Sequence, residues 1–99
     1  MIVTVFRNRL NPDHSSEYYE LAPRIAALAV DMPGYVWHKS FTAEDGERVT
    51  IVEFADKESH EAWARHPEHR AAMEKGRDRL YQFYDIKICN DDRSASFEA

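Results

Sequence analysis

Four side chains in this sequence are of the types a reaction pocket needs: Asn8, Trp63, His66 and His69. Asn8 is polar in the middle of an apolar strand face. Its amide can orient a substrate oxygen or stabilise a developing oxyanion, or it can bond backbone around a following turn. Trp63 offers a flat apolar wall and one indole donor, which suits an aromatic ligand and equally suits the core face of an amphipathic helix. His66 and His69 bracket Pro67 and Glu68. Imidazoles three residues apart can share a helix face, which raises a metal pair. Pro67 breaks that helix, however, and no third ligand follows at a familiar spacing, so no metal is expected. His66 is then expected to cap or bridge the helix break, with His69 facing either pocket or solvent. An imidazole titrating near about 6.5 is suited to take the proton of a phenolic substrate.

The remaining composition narrows the chemistry. The three glycines are scattered, so no phosphate-cradling loop exists, and no nucleophile elbow or Cys–His signature is present. No flavin, nicotinamide or nucleotide cofactor is expected; the cofactor expectation is none. A net charge of −5 without any basic stripe argues against nucleic acid and against an anionic membrane surface. Cys89 is the only cysteine, so no intrachain disulfide forms, and a cytoplasmic location is expected. Met1–Phe6 is too short for a signal h-region and runs into Arg7 and Arg9. Arg70, Arg77 and Arg79, beside Glu68, Glu74 and Asp78, read as a solvated, ion-paired helix surface. His14, His38 and His60 have no visible partners and receive no role.

The elements that must position these residues follow from spacing. Residues 2–10 alternate as a strand, with Ile2, Thr4, Phe6, Asn8 and Leu10 on one face. Asn11-Pro12 suits a helix start. Tyr18, Leu21, Ala22, Ile25, Leu28, Ala29 and Met32 then form a helical stripe. Pro23 inside it predicts a kink, or a helix beginning near that residue. Pro33-Gly34 stops the helix. Residues 35–41 and 48–54 read as strands joined through the hairpin signal Asp45-Gly46. Asp56 caps a helix over 57–65, and Pro67 opens a second piece over 68–77. Residues 81–89 alternate as the last strand. The order is that of an α+β, ferredoxin-like β-α-β-β-α-β fold with a four-stranded antiparallel sheet, helices on one face. Residues 1–90 form the domain and 91–99 a polar tail.

These strands are apolar on both faces. Val3 and Val5 oppose Ile2 and Phe6, and Val49 and Ile51 oppose Val52 and Phe54. In the last strand Tyr81, Phe83 and Cys89 oppose Tyr84, Ile86 and Ile88. Helices can cover one face only, and soluble monomers seldom leave the other bare. A homodimer in which a second sheet covers it is the expected partner arrangement.

Phe6-Arg7-Asn8-Arg9-Leu10, Met32-Pro33-Gly34-Tyr35, Val52-Glu53-Phe54, the run from Trp63 to Arg70 and Arg79-Leu80-Tyr81 together resemble the antibiotic-biosynthesis-monooxygenase (ABM) domain over residues 1–90. The resemblance implies a dimeric α+β barrel with a pocket between sheet and helices in each subunit. It implies cofactor-independent monooxygenation or quinol oxidation of a small aromatic ligand (phenol, quinol or polyketide-like). For that chemistry Asn8, Trp63, His69 and, less so, His66 are the expected catalytic residues, His69 on its place one helical turn before Met73 and not as a family feature, and Phe6, Met73 and Tyr84 are expected to bind substrate. A small-ligand binding protein or an isomerase on the same barrel is the alternative. The haem-degrading branch is similar at Asn8 and Trp63, but its iron-ligating histidine corresponds to Met73 here, a departure that weighs against haem chemistry.

Overall fold

In chain order the elements are β1 (Ile2–Leu10), α1 (Ser15–Val30), β2 (Tyr35–Thr42), β3 (Arg48–Phe54), α2 (Lys57–Ala64), α3 (Pro67–Lys75) and β4 (Tyr81–Asn90). The computed structural model describes all 99 residues, and no regular element follows Asn90. The strands form one antiparallel sheet in the order β2-β3-β1-β4, the ferredoxin-like arrangement expected from the pattern. No helix is long and apolar enough to cross a membrane.

Local chemistry sets most boundaries. The Asn11 side chain accepts from the Asp13 N–H at 3.0 Å, and Pro12 opens a short 3₁₀ turn, Pro12–His14, that leads into α1. Asp56 and Ser59 form a reciprocal capping box at the start of α2. His66 caps α3: its Nδ1 accepts from the Glu68 N–H, and Pro67 takes the first helical position, where its missing donor does no harm. Gly34, at φ +81°, lies where an added Cβ would collide with Ser59, so glycine alone lets β2 begin against the capping box. Gly46, at φ +89°, turns the β2–β3 hairpin.

Two expectations change. α1 does not begin near Pro23; it runs unbroken from Ser15 to Val30. Pro23 removes the donor that would meet the Tyr19 carbonyl. Both residues are exposed, so water can reach that carbonyl, while the flanking turns pack Tyr18, Leu21, Ile25 and Ala29 over the sheet. Tyr81 does not share a face with Phe83 and Cys89. A register shift opposite Arg9 and Leu10 turns it to the helix side with Ile86 and Ile88. The segment before it, Gly76–Leu80, is a π-helical turn, a form the apolar periodicity gave no sign of.

Phe54, Ala29 and Trp63 form the buried centre, with Ile25, Leu28, Met32, Tyr35 and Val52 packed around them. The helices cover one sheet face only. On the other, Trp37, Phe41 and Phe83 remain 40%, 43% and 40% exposed, and nothing covers them.

Candidate functional site

Between the covered sheet face and the helices lies a cavity of about 730 Å³. The sheet supplies Thr4, Phe6, Arg48, Thr50, Val52 and Ile86, all on the inward parity of their strands. The helices supply Tyr18, Leu21 and Ile25 from α1, Trp63 from α2, and His69 and Met73 from α3. Such a space, mostly apolar with a few convergent polar groups, has the proportions of a small-molecule site.

Its chemical focus is the α2–α3 wall. Trp63 is 7% exposed, and its indole stacks on the His69 imidazole with ring centroids 4.4 Å apart and planes at 29°. The His69 Nδ1 is buried without a hydrogen-bond partner. Burial holds the His69 pKa below the ordinary histidine value, and the neighbouring His66 and His60 push it the same way. The carbonyls of Ala64 and Trp63 oppose that shift, although neither meets Nδ1 in hydrogen-bond geometry. The imidazole is therefore neutral at neutral pH and free to accept a proton. His60 also lines the cavity, with Nε2 3.3 Å from the Thr4 hydroxyl, and burial lowers its pKa as well.

The other anticipated residues divide. Phe6 and Met73 line the cavity. His66 does not; it is spent on the α3 cap, with its ring 5.6 Å from that of Trp63. Asn8 lies on the inward face but beneath the wall, 1% exposed, with Oδ1 unpartnered and its backbone paired with Arg48 and Tyr84. Tyr84 sits behind the wall too, its ring 5.9 Å from Phe6 and 6.1 Å from Tyr81. The structure thus brings Trp63, His69, Phe6 and Met73 together and leaves Asn8, Tyr84 and His66 in the layer behind.

Four polar residues that sequence reasoning passed over reach the cavity. His60 stands three residues before Trp63, the spacing that places both on one helix face. His38, whose Nδ1 is 2.6 Å from the Tyr35 hydroxyl, and Ser40, bonded to Thr50 at 2.7 Å, follow the inward alternation of β2. Arg48 occupies the inward parity of β3 ahead of Thr50, Val52 and Phe54. The helix surface read as an ion-paired layer is also different. Glu68 pairs with Arg24 and Arg79 with Glu17, tying α1 to the α3 region, while Arg70 and Arg77 stand at the cavity. No three His, Cys, Asp or Glu side chains group closely enough to hold a metal ion.

Comparison with known proteins agrees with this architecture. The chain is 31% identical over 94 residues to the uncharacterised protein YqjZ of Bacillus subtilis (strain 168), covering 95% of this chain and 82% of that protein. Among solved structures, Rv0793 of Mycobacterium tuberculosis superposes with a TM-score of 0.83 at 14% identity, over 96% of this chain and 98% of the other. SnoaB of Streptomyces nogalater, described as a cofactor-independent oxygenase, superposes with a TM-score of 0.77 at 18% identity, over 94% of each chain. Identities this low establish the shared fold and nothing finer. A sequence model of the antibiotic biosynthesis monooxygenase family matches residues 1–75, and with that match the chain belongs to the antibiotic biosynthesis monooxygenase family.

Proposed function

We propose that this protein is a cofactor-independent monooxygenase of a small aromatic phenol, quinol or polyketide-like substrate. The stacked Trp63–His69 pair carries the reading: a flat wall for the ring lies directly against a neutral, partly buried base. Family membership and the likeness to an oxygenase described as cofactor-independent support it. In this scheme His69 takes the phenolic proton, and the phenolate is electron-rich enough to reduce dioxygen. A ring carbon forms a new C–O bond, the O–O bond breaks, and one oxygen leaves as water. The ring ends as a quinone, so its four-electron oxidation balances the four-electron reduction of dioxygen. The protein contributes orientation, a proton acceptor and exclusion of water.

The test is oxygen uptake by metal-free protein against quinols, anthrones and catechols. With labelled dioxygen, one labelled atom is expected in product and one in water for each dioxygen consumed. Silence across the panel, with saturable binding of the same compounds, would instead establish a ligand-binding protein or an isomerase.

The bare sheet face supports a second part of the proposal: the working unit is a homodimer in the reducing cytoplasm, with sheets packed face to face. Cations flank two of these rings without covering them: the Arg7 guanidinium stands 5.4 Å from the Phe83 ring and Lys39 Nζ 5.5 Å from that of Phe41. Light scattering should give twice the 11.6 kDa chain mass, and Trp37→Glu should shift the mass toward one chain. A wild-type protein that stays at one chain mass at micromolar concentration would end this part of the proposal.

A further inference from the structure

The cavity opens to solvent between α1 and α3, where Tyr19, Pro23, Arg70 and Glu74 are both exposed and on its wall. Two ion pairs bracket that mouth. At one end Arg24 donates from Nε and Nη2 to the two Glu68 carboxylate oxygens, at 2.7 and 2.9 Å. At the other end Arg79 donates to Glu17 in the same forked way, at 2.8 and 2.5 Å. Roughly 10 Å of helix separates Glu17 from Arg24 on α1, and Tyr19 and Pro23 fall between them. Arg70 and Glu74 fall between Glu68 and Arg79 in the same manner. Hydrogen bonds from the two arginines hold both carboxyls below the usual carboxylate range, so each pair is charged at neutral pH.

α3 itself is lightly anchored. It buries none of its residues, whereas α1 buries Ala29 and α2 buries Trp63. The firm points lie on either side of it. Before it stands Trp63; after it comes Leu80, 2% exposed, whose carbonyl accepts from the Asn11 N–H at 2.8 Å. Between α2 and α3 one residue, His66, leaves helical geometry (φ −58°, ψ 127°), and Pro67 follows it. At its other end α3 passes into the π-helical turn Gly76–Leu80. Element ends of this kind are where hinges absorb backbone rotation, and π turns recur at functional sites.

From this arrangement we propose that α3 is a lid, hinged at His66-Pro67 and in the Gly76–Leu80 turn, and latched to α1 by the Arg24–Glu68 and Glu17–Arg79 pairs. Release of the latches opens the mouth between the two helices to a ligand. Forked arginine–carboxylate pairs hold one geometry well, yet at the surface they are weak enough to break and re-form. Opening also carries the His69 ring away from Trp63, which stays anchored on α2, so the stacked wall and base meet only under a closed lid. That last consequence rests on the oxygenase reading above; the lid and its latches do not.

Native-state hydrogen exchange, followed residue by residue, tests this without any ligand. Amides of residues 70–75 should exchange about tenfold or more faster than those of β1 and β3, with little dependence on low denaturant, the mark of local opening. Raising salt from about 0.1 to about 1 M shortens the screening length from about 10 to about 3 Å and should speed α3 several-fold relative to α2. Arg24→Gln/Glu17→Gln removes both latches from the α1 side, which leaves the α3 sequence and its intrinsic exchange unchanged. It should speed α3 about tenfold, abolish the salt effect and leave β1 and β3 within about twofold. Arg24→Lys, which keeps the charge without the fork, should speed α3 less than Arg24→Gln does. Glu47→Gln, which breaks the Arg7 pair on the sheet, is the control and should leave α3 unchanged. Exchange in α3 as slow as in the strands overturns the lid. Equal acceleration of α3 and the strands in the double variant overturns it too, since the pairs would then support the whole fold. Fast α3 exchange indifferent to salt and to the double variant overturns the latches and the proposal with them. Should the double variant not fold, the salt series on native protein decides the matter alone. None of these readings needs turnover, so their failure leaves the oxygenase reading standing, and a silent oxygen-uptake panel leaves the lid.

Discussion

Replacing His69 with glutamine should lower turnover of the phenolic substrate by roughly 10²- to 10⁴-fold, the range general-base catalysis supplies, with substrate binding changed only a few-fold. Glutamine keeps much of the side-chain volume and removes the basic nitrogen, so the loss reports proton transfer and not packing. His66→Gln is the matched control. Its nitrogen is committed to the Glu68 N–H at the start of α3, so the change should cost stability of the order of a helix cap, about 1 kcal/mol, and leave turnover within a few-fold. Equal rate losses for the two variants would mean that the base has been misassigned.

The same residue sets a pH signature. Burial, ahead of all other causes, lowers the His69 pKa, so the base stays active below the pH at which a free imidazole would be lost. The rate should rise with pH through an inflection under about 6.5 and then level off, when measured on a phenol that itself ionises near about 10. Stability carries the matching sign. A folded-state pKa below the unfolded value means that the unfolded chain binds more protons in that window. The contribution is complete above about 6.5 and is lost as pH falls through the folded-state value. His60, lowered by burial too, adds in the same direction. His69→Gln should therefore flatten part of the acid limb in a plot of midpoint denaturant concentration against pH. An inflection above the ordinary histidine value would contradict the burial argument.

What could be read from the residues, and what could not, follows from the range of the interactions. Asn11-Pro12, Asp45-Gly46, Asp56 and Pro67 act on backbone within a turn of themselves, and each fixes the boundary its chemistry implies. The bare sheet face was legible because alternation is also local. The cavity wall was less so, because which residue reaches it depends on registers set by distant partners. One irregularity beside Leu10 moved Tyr81 to the inner face. Asn8 has the inward parity expected of a pocket residue, yet it lies under neighbouring side chains, a depth that alternation cannot encode. Arg48 follows the same parity as Thr50 and Val52. Nothing local distinguishes it from an arginine paired at the surface until the absence of a carboxylate nearby is seen in three dimensions.

Trp63→Ala should cost about 3–5 kcal/mol of stability, the range for deleting a large buried aromatic. Small domains have only about 5–15 kcal/mol to lose, so this one substitution puts folding itself near its limit. At about 4–8 °C per kcal/mol for a domain of this size, the melting temperature should fall by tens of degrees. The void would open where Trp63 now meets Phe54, Ala29 and the His69 ring. That contact gives the prediction a second, independent reading. Burial is the leading cause of the low His69 pKa, so water entering the space vacated by the indole should move that pKa up toward the ordinary value, visible in the imidazole proton shifts. Trp63→Phe keeps an aromatic face against the imidazole and should retain most of the stability and most of the pKa shift. If Trp63→Ala melted within a few degrees of the native protein with the His69 titration unmoved, the indole would be neither the core of the α2–α3 wall nor the shield of its base. If stability fell but the titration stayed put, the packing role would stand and the coupling between wall and base would not.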